Sequence, residues 1–429
     1  MRHIFLQQAQ LGFSMKHTTS RLASAAAGIA LAALGCSART EQPAVEQRGL
    51  DIIGGSHADS PELNHTGALV FIDPTTNVPS PFCSSTLIAP ETVVTAKHCA
   101  AIFPQIENAG FKLAWAVGPH ASAPLELIPV VAADTSPGDV GGFVQMGRDV
   151  AVAYLEHPST IPPAVPKPGA EATVSRPMVS IGYGVFSAGG SSDDQRRIGR
   201  ETVAAQSGKV FEIMFGSFEN FVEWEFTGQV TDEDFLANFP PDDPTIAQLR
   251  ALFDTQLLFD QHEVVTGLAA SDTQSCFGDS GGPLAGFTNG HWETYGVVSG
   301  GLSSLRSACD FGTVYSTFGP DSLAFLQKAV TWTDPCGDVS AQGQCDGNVA
   351  TRCETSLVAG IRRLQTEDCA AQGLTCVASG AGVGCGAVPE PVAAQAPEIG
   401  AKEKLLRLMQ DSFHPEIERT LSWKARGSQ

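Results

Sequence analysis

Three residues whose types carry hydrolytic chemistry stand in favourable local settings. Ser280 lies in Cys276-Phe-Gly-Asp-Ser-Gly-Gly-Pro-Leu284, between an acid and a glycine pair, in a turn able to expose both a hydroxyl and neighbouring backbone amides. A serine nucleophile needs such a setting. His98 lies in Thr95-Ala-Lys-His-Cys99, where a disulfide at the adjoining cysteine would fix the imidazole, and Asp149 opens the apolar run of Gly147-Arg-Asp-Val-Ala-Val152. A lone serine in a glycine-rich loop is usually a turn residue, and a lone histidine near a cysteine is usually structural. Their joint appearance with an acid, in the chain order His, Asp, Ser, points instead to nucleophilic catalysis.

The elements that must position these residues are short β-rich runs at 68–72, 85–88, 93–94, 150–154, 178–181 and 296–298, with Gly and Pro between them. Such spacing predicts antiparallel β-barrels or sandwiches. Residues 161–169 hold four prolines in nine positions and read as a linker between two halves of comparable size. Between Glu212 and Asp254 ten acidic residues face one basic residue, Arg250. There Val222, Trp224 and Phe226 alternate with Glu223 and Glu225 as in a half-buried strand, and residues 244–253, capped by Asp243, read as a short helix. No ordered calcium-ligand spacing occurs in this stretch, which reads as a solvated acidic loop.

The chain has 429 residues of which 43% are hydrophobic, enough for more than one core, so disorder of the whole is excluded. With 26 basic and 46 acidic residues the formal charge is −20 and no basic cluster stands out, which argues against a nucleic-acid partner. Eleven cysteines suit an oxidising compartment, and the odd number leaves one outside internal pairing. Residues 1–35 carry Arg2, Lys16 and Arg21, no acid, and an apolar stretch ending at Cys36, which is the architecture of an export signal starting at Met1 or at Met15. Ala33-Leu-Gly-Cys36 resembles a bacterial lipobox, which makes Cys36 a lipidation site; an ordinary signal peptide is the alternative. Residues 36–51 read as a propeptide or linker. Cys336, Cys345, Cys353, Cys369, Cys376 and Cys385 lack C-x-x-C spacing, so three disulfides are preferred over zinc, with fifteen connectivities open. In the tail, Leu405, Met409, Phe413, Ile417 and Leu421 recur every four residues around a break at Pro415.

The chain resembles the chymotrypsin/trypsin-like serine peptidases, as a bacterial secreted member with an appended cysteine-rich module. Beyond the three residues above, Ile52-Ile-Gly-Gly55 matches the family's mature N-terminus, and Ile181-Gly-Tyr-Gly184 is similar to the segment opening its second barrel. Gly296-Val-Val-Ser-Gly-Gly301 resembles the substrate-binding strand, Gly312-Thr-Val-Tyr315 the strand closing the specificity pocket, and 321–330 the closing helix. The resemblance implies an all-β fold of two packed antiparallel six-stranded Greek-key barrels with a C-terminal helix over 52–333. A small disulfide-rich module at 334–388 and a linker with a helical tail at 389–429 would follow.

What the resemblance implies for the site is a His98–Asp149–Ser280 triad, an oxyanion hole from the Gly278 and Ser280 amides, and disulfides Cys83–Cys99 and Cys276–Cys309. Ser299, on the substrate-binding strand, would support Asp149 and count among the substrate-binding residues. Cleavage before Ile52 would free an amine for Asp279, although Asp51 precedes the cut and Arg48 lies three residues earlier, so maturation either accepts Asp or cuts after Arg48 and trims. Gln274 at the pocket floor, with Gly301 at the entrance and Thr313 on the far wall, implies neutral, small to medium side chains at the cleaved position, because an amide cannot neutralise a buried cation. Gly300 replaces a bulky aromatic. Substrates would be proteins or peptides, with no cofactor, no metal, a monomeric state, and no membrane contact except through a lipid anchor. A noncatalytic surface binding protein on the same barrels is the rival.

Overall fold

The computed structural model describes residues 51–386 except 139–147, 186, 188–189, 232–233, 241, 303–308, 310, 358–359 and 381. The export signal, Cys36, Arg48 and the tail helix lie outside the described residues.

Six antiparallel strands close a first barrel: β1 (Thr66–Ile72), β2 (Pro79–Ala89), β3 (Thr92–Thr95), β4 (Lys112–Val117), β5 (Glu126–Thr135) and β6 (Ala151–Leu155). Their order is β1-β2-β3-β6-β5-β4, with β4 returning to β1. A second closed barrel uses β7 (Pro177–Gly182), β8 (Arg197–Ala205), β9 (Glu263–Thr266), β10 (Pro283–Thr288), β11 (His291–Gly301) and β12 (Thr313–Thr317). It repeats the same order, β7-β8-β9-β12-β11-β10. This is the all-β double barrel expected, with every short run of the sequence falling on a strand. The proline-rich linker joins the barrels, and only Val165 and Pro166 pair with a sheet, in parallel with Glu293 and Thr294.

Period-2 alternation explains how the barrels pack. Along β1, Leu69 and Phe71 enter the first core beside Trp115 and Val152. Ala68 and Val70 face the other way, with Ala114, Ala116 and Tyr183. Small residues on that outer face let the second half approach, and the Tyr183 hydroxyl donates across to Gly118 O at 2.6 Å.

A one-turn helix α1 (Lys97–Ala100) and α2 (Phe103–Asn108) follow β3. The long β8–β9 connection is helical, contrary to the strand and solvated loop expected there: α3 (Val210–Phe215), α4 (Phe218–Thr227) and α5 (Pro244–Thr255). Val222, Trp224 and Phe226 lie in α4, which Ser217 caps by accepting from Asn220 N at 3.2 Å and left-handed Gly228 ends. Phe218, Phe221, Val222 and Trp224 bury one face of it, packing with Phe211, Phe215 and Phe253. The helix expected at 244–253 is α5, and Asp243 caps it through Thr245 N at 2.8 Å.

Helix α6 (Pro320–Ala329) closes the double barrel by inserting Leu326 and Ala329 into the first core, and Trp332 stacks on Tyr154 at 4.4 Å. The cysteine-rich module then forms β13 (Gln344–Asp346), β14 (Val349–Ser356), β15 (Ile361–Asp368), β16 (Cys376–Ser379) and β17 (Gly382–Cys385). Its bridges are Cys336–Cys353, Cys345–Cys376 and Cys369–Cys385. It rests on α2, where Ser356 Oγ and Leu357 N donate to the Glu107 carboxylate at 3.2 and 3.1 Å. No described helix is long and apolar enough to cross a membrane.

Candidate active site

Helix α1 turns immediately after β3, so His98 emerges at the barrel rim with its side chain 23% exposed. Asp149, immediately before β6, is 2% exposed and faces it. Asp149 Oδ1 accepts from His98 N at 2.9 Å, and Oδ2 lies 2.7 Å from His98 Nδ1. Ser299 Oγ donates to the same Oδ2 at 2.5 Å, and Asp149 N donates to Ser316 Oγ at 3.0 Å. Burial works to raise the Asp149 carboxyl, but the charge and hydrogen bonds of His98 and the Ser299 hydroxyl outweigh it and hold the group below its usual range. A carboxylate so placed fixes the imidazole tautomer and leaves Nε2 as the proton-accepting nitrogen.

Ser280 comes from the second barrel and is tied to the histidine's own disulfide. Its carbonyl accepts from Ser84 N at 2.8 Å and lies 3.6 Å from Cys99 Sγ. The Cys83–Cys99 bridge therefore joins the neighbour of Ser84 to the neighbour of His98, and sets both against the Ser280 backbone. Gly281 crosses β3 so closely that a Cβ there would stand 2.1 Å from Thr95 Oγ1 and 2.4 Å from Ser84 O. Gly278 has φ +93°, and its carbonyl accepts from Ser84 Oγ at 2.9 Å. Among the described residues the Gly278 and Ser280 N–H groups have no hydrogen-bond partner, so two donors are available beside the hydroxyl.

Asp279 is fully buried, accepting from Gly184 N and Cys276 N, each at 2.9 Å. Burial pushes it up to about 7, partly offset by those two donors and by the charge of Arg197. Ile52, 1% exposed, lies in the segment where Ile53 O accepts from Gln274 N at 2.9 Å, beside the loop that carries Asp279. No described hydrogen bond joins Ile52 to Asp279.

The residues expected at the specificity pocket form one wall. Gly301 pairs with Thr313, whose Oγ1 accepts from Ser275 N at 3.1 Å, and Gln274 adjoins Ser275. Cys276–Cys309 braces the same loop. Gln274 directs its amide nitrogen to Gly267 O, and its buried Oε1 has no partner among the described residues. Gly300 lies opposite Val314. Ser299 directs its hydroxyl to Asp149, the supporting contact expected of it. Cys83 and Cys99 lie close to His98, but their sulfurs are bonded to each other and supply no thiolate ligand.

Three contributors carried no sequence signal: Ser84, which clamps both Gly278 and Ser280; Ser316, which receives Asp149 N; and Glu201, a fully buried acid behind Ser275. No protein-family model matches the chain.

Proposed function

We propose that the chain is an exported serine endopeptidase, made as a zymogen. Ser280 Oγ attacks the substrate carbonyl carbon while His98 Nε2 takes its proton, and Asp149 stabilises the imidazolium. The Gly278 and Ser280 amides receive the oxyanion; one such donor contributes about 3 kcal/mol in comparable sites. Collapse expels the amine, protonated by His98, and leaves an acyl-enzyme that water hydrolyses by the same proton route. The observation that carries this reading is the buried Asp149 carboxylate 2.7 Å from His98 Nδ1, with the Ser280 carbonyl held by Ser84 against the disulfide next to His98.

Cleavage before Ile52, directly after Asp51 or by trimming from Arg48, would free an ammonium for the buried Asp279. A cation there favours the carboxylate and reverses the upward push of burial, which would lock the Gly278–Ser280 loop. Five disulfides accord with an oxidising compartment, and Cys36 would carry the lipid anchor.

A fluorophosphonate probe tests the proposal. The matured protein, sequenced from Ile52, should carry the adduct on Ser280, and Ser280→Ala should carry none. Matured protein that takes no adduct would instead support a binding protein.

A further inference from the structure

Glu201, on β8, is an acid enclosed by hydroxyls. Ser275 Oγ donates to its Oε1 at 3.0 Å and Thr266 Oγ1 to its Oε2, and Tyr315 also hydrogen-bonds the carboxyl. Ser275 Oγ lies 2.7 Å from Ser180 Oγ and 3.2 Å from Tyr315 OH. Every described partner is a neutral donor, and among the described residues no hydrogen-bonded cation accompanies it.

A carboxylate only accepts, so it fixes the direction of this network. The single proton of Ser275 goes to Glu201, hence Ser180 donates to Ser275, and the hydroxyls turn lone pairs rather than protons away from the acid. Ser275 also belongs to the wall containing Gln274 and Thr313. Once Glu201 is ionised, the pocket is thereby backed, one hydrogen bond behind its lining, by a negative charge.

We infer that Glu201 determines the charge preference of the specificity pocket, selecting substrates with a cationic side chain at the cleaved position through Ser275. This rests on the peptidase proposal, and it replaces the neutral preference that Gln274 alone implies. The countercharge absent from the floor comes from beneath the wall.

A second observation agrees. The helical connection carries the ten acids between Glu212 and Asp254, and Phe215 stacks on Phe311 at 4.7 Å while Met214 packs beside Gly312. Through these apolar contacts the connection that bears the acids adjoins the segment that enters β12 and bears Thr313. Burial pushes Glu201 up to about 7 against the hydroxyl bonds, with the Asp279 charge adding to the rise. The groups facing it are Ser180 from β7, Thr266 from β9, Ser275 and Asp279 from the nucleophile loop and Tyr315 from β12.

The test uses two peptides differing only in Lys or norleucine at the cleaved position, with fluorophosphonate-labelled Ser280 counting active sites. Taking the ratio of kcat/KM for the pair cancels every pH effect on the chemical steps that both share. In the parent the Lys peptide should lead by at least about tenfold at pH 8.5, and the ratio should fall below pH 6 as Glu201 protonates. Glu201→Gln should bring the ratio near one at both pH values, with fluorophosphonate labelling of Ser280 showing that the variant is folded. Ser275→Ala, which keeps the acid and removes the connecting hydroxyl, should lower the ratio partway. A ratio at or below one in the parent, or a pH-independent Lys preference, would overturn the inference with Ser280 still labelled. Failure of Ser280 to label would strike the peptidase proposal itself.

Discussion

Oδ2 of Asp149 takes two hydrogen bonds, from Ser299 as well as His98. Removing the serine leaves a buried carboxylate short of a donor, which weakens its hold on the imidazole. Ser299→Ala should lower kcat by about tenfold with KM nearly unchanged; an unaltered kcat in steady-state assays would show that the hydroxyl only fills space. At this scale the sequence is legible where chemistry is local. His98, Asp149 and Ser280 each sit in a short segment whose neighbours mark them as candidates. Ser84 acts on Gly278 from 194 positions away and Glu201 on Ser275 from 74, and nothing in their own flanking residues marks either distance. Gln274 shows the same limit, since an acid behind its wall leaves no mark in the residues that flank it.

The crossing of the nucleophile loop over β3 sets the tolerance between the two barrels. Gly281 has φ +80° and no room for a Cβ. Gly281→Ala should destabilise by about 3 kcal/mol or more and abolish turnover. A melting temperature and activity equal to the parent's would show slack at this crossing. Strands of the barrels were readable because each buries a face with period 2 over several residues. Segment 222–226 shows the limit of that signal: five residues alternated by chance inside a ten-residue run whose buried positions, Phe218, Phe221 and Val222, have helical spacing. Its Ser217 and Gly228 caps were the better guide. The repeated strand order of the barrels has no counterpart in matching sequence, because topology constrains the burial pattern of each strand and not its residue identities.

Across the whole molecule, burial gives stability an unusual pH dependence. Glu201, Glu263 and Asp279 are each pushed up to about 7, from 4.5, 4.5 and 3.8. Between those limits the folded chain keeps protons that the unfolded chain releases. The stability from these groups is therefore complete below about pH 4 and is lost as pH rises through about 7, at about 1.4 kcal/mol per unit and group. Asp149 is shifted downward, so its contribution is lost in acid instead. Uncleaved Ser280→Ala protein should accordingly melt higher at pH 5.5 than at pH 8 in calorimetry. The opposite order would mean that these acids are ionised in the fold.

Helix α6 also governs when the molecule can finish folding. Residues 66–155 supply all six strands of the first barrel, yet its interior lacks Leu326, Ala329 and the Tyr154–Trp332 stack until the chain has been made some 170 residues further. A ribosome-bound intermediate ending within the second barrel keeps an open apolar seam in the first. Sealing that seam requires closing one very long loop, whose entropic cost grows only slowly with its length. The residues of the candidate site on the first barrel thus stand on a core that α6, the last helix of the double barrel, completes.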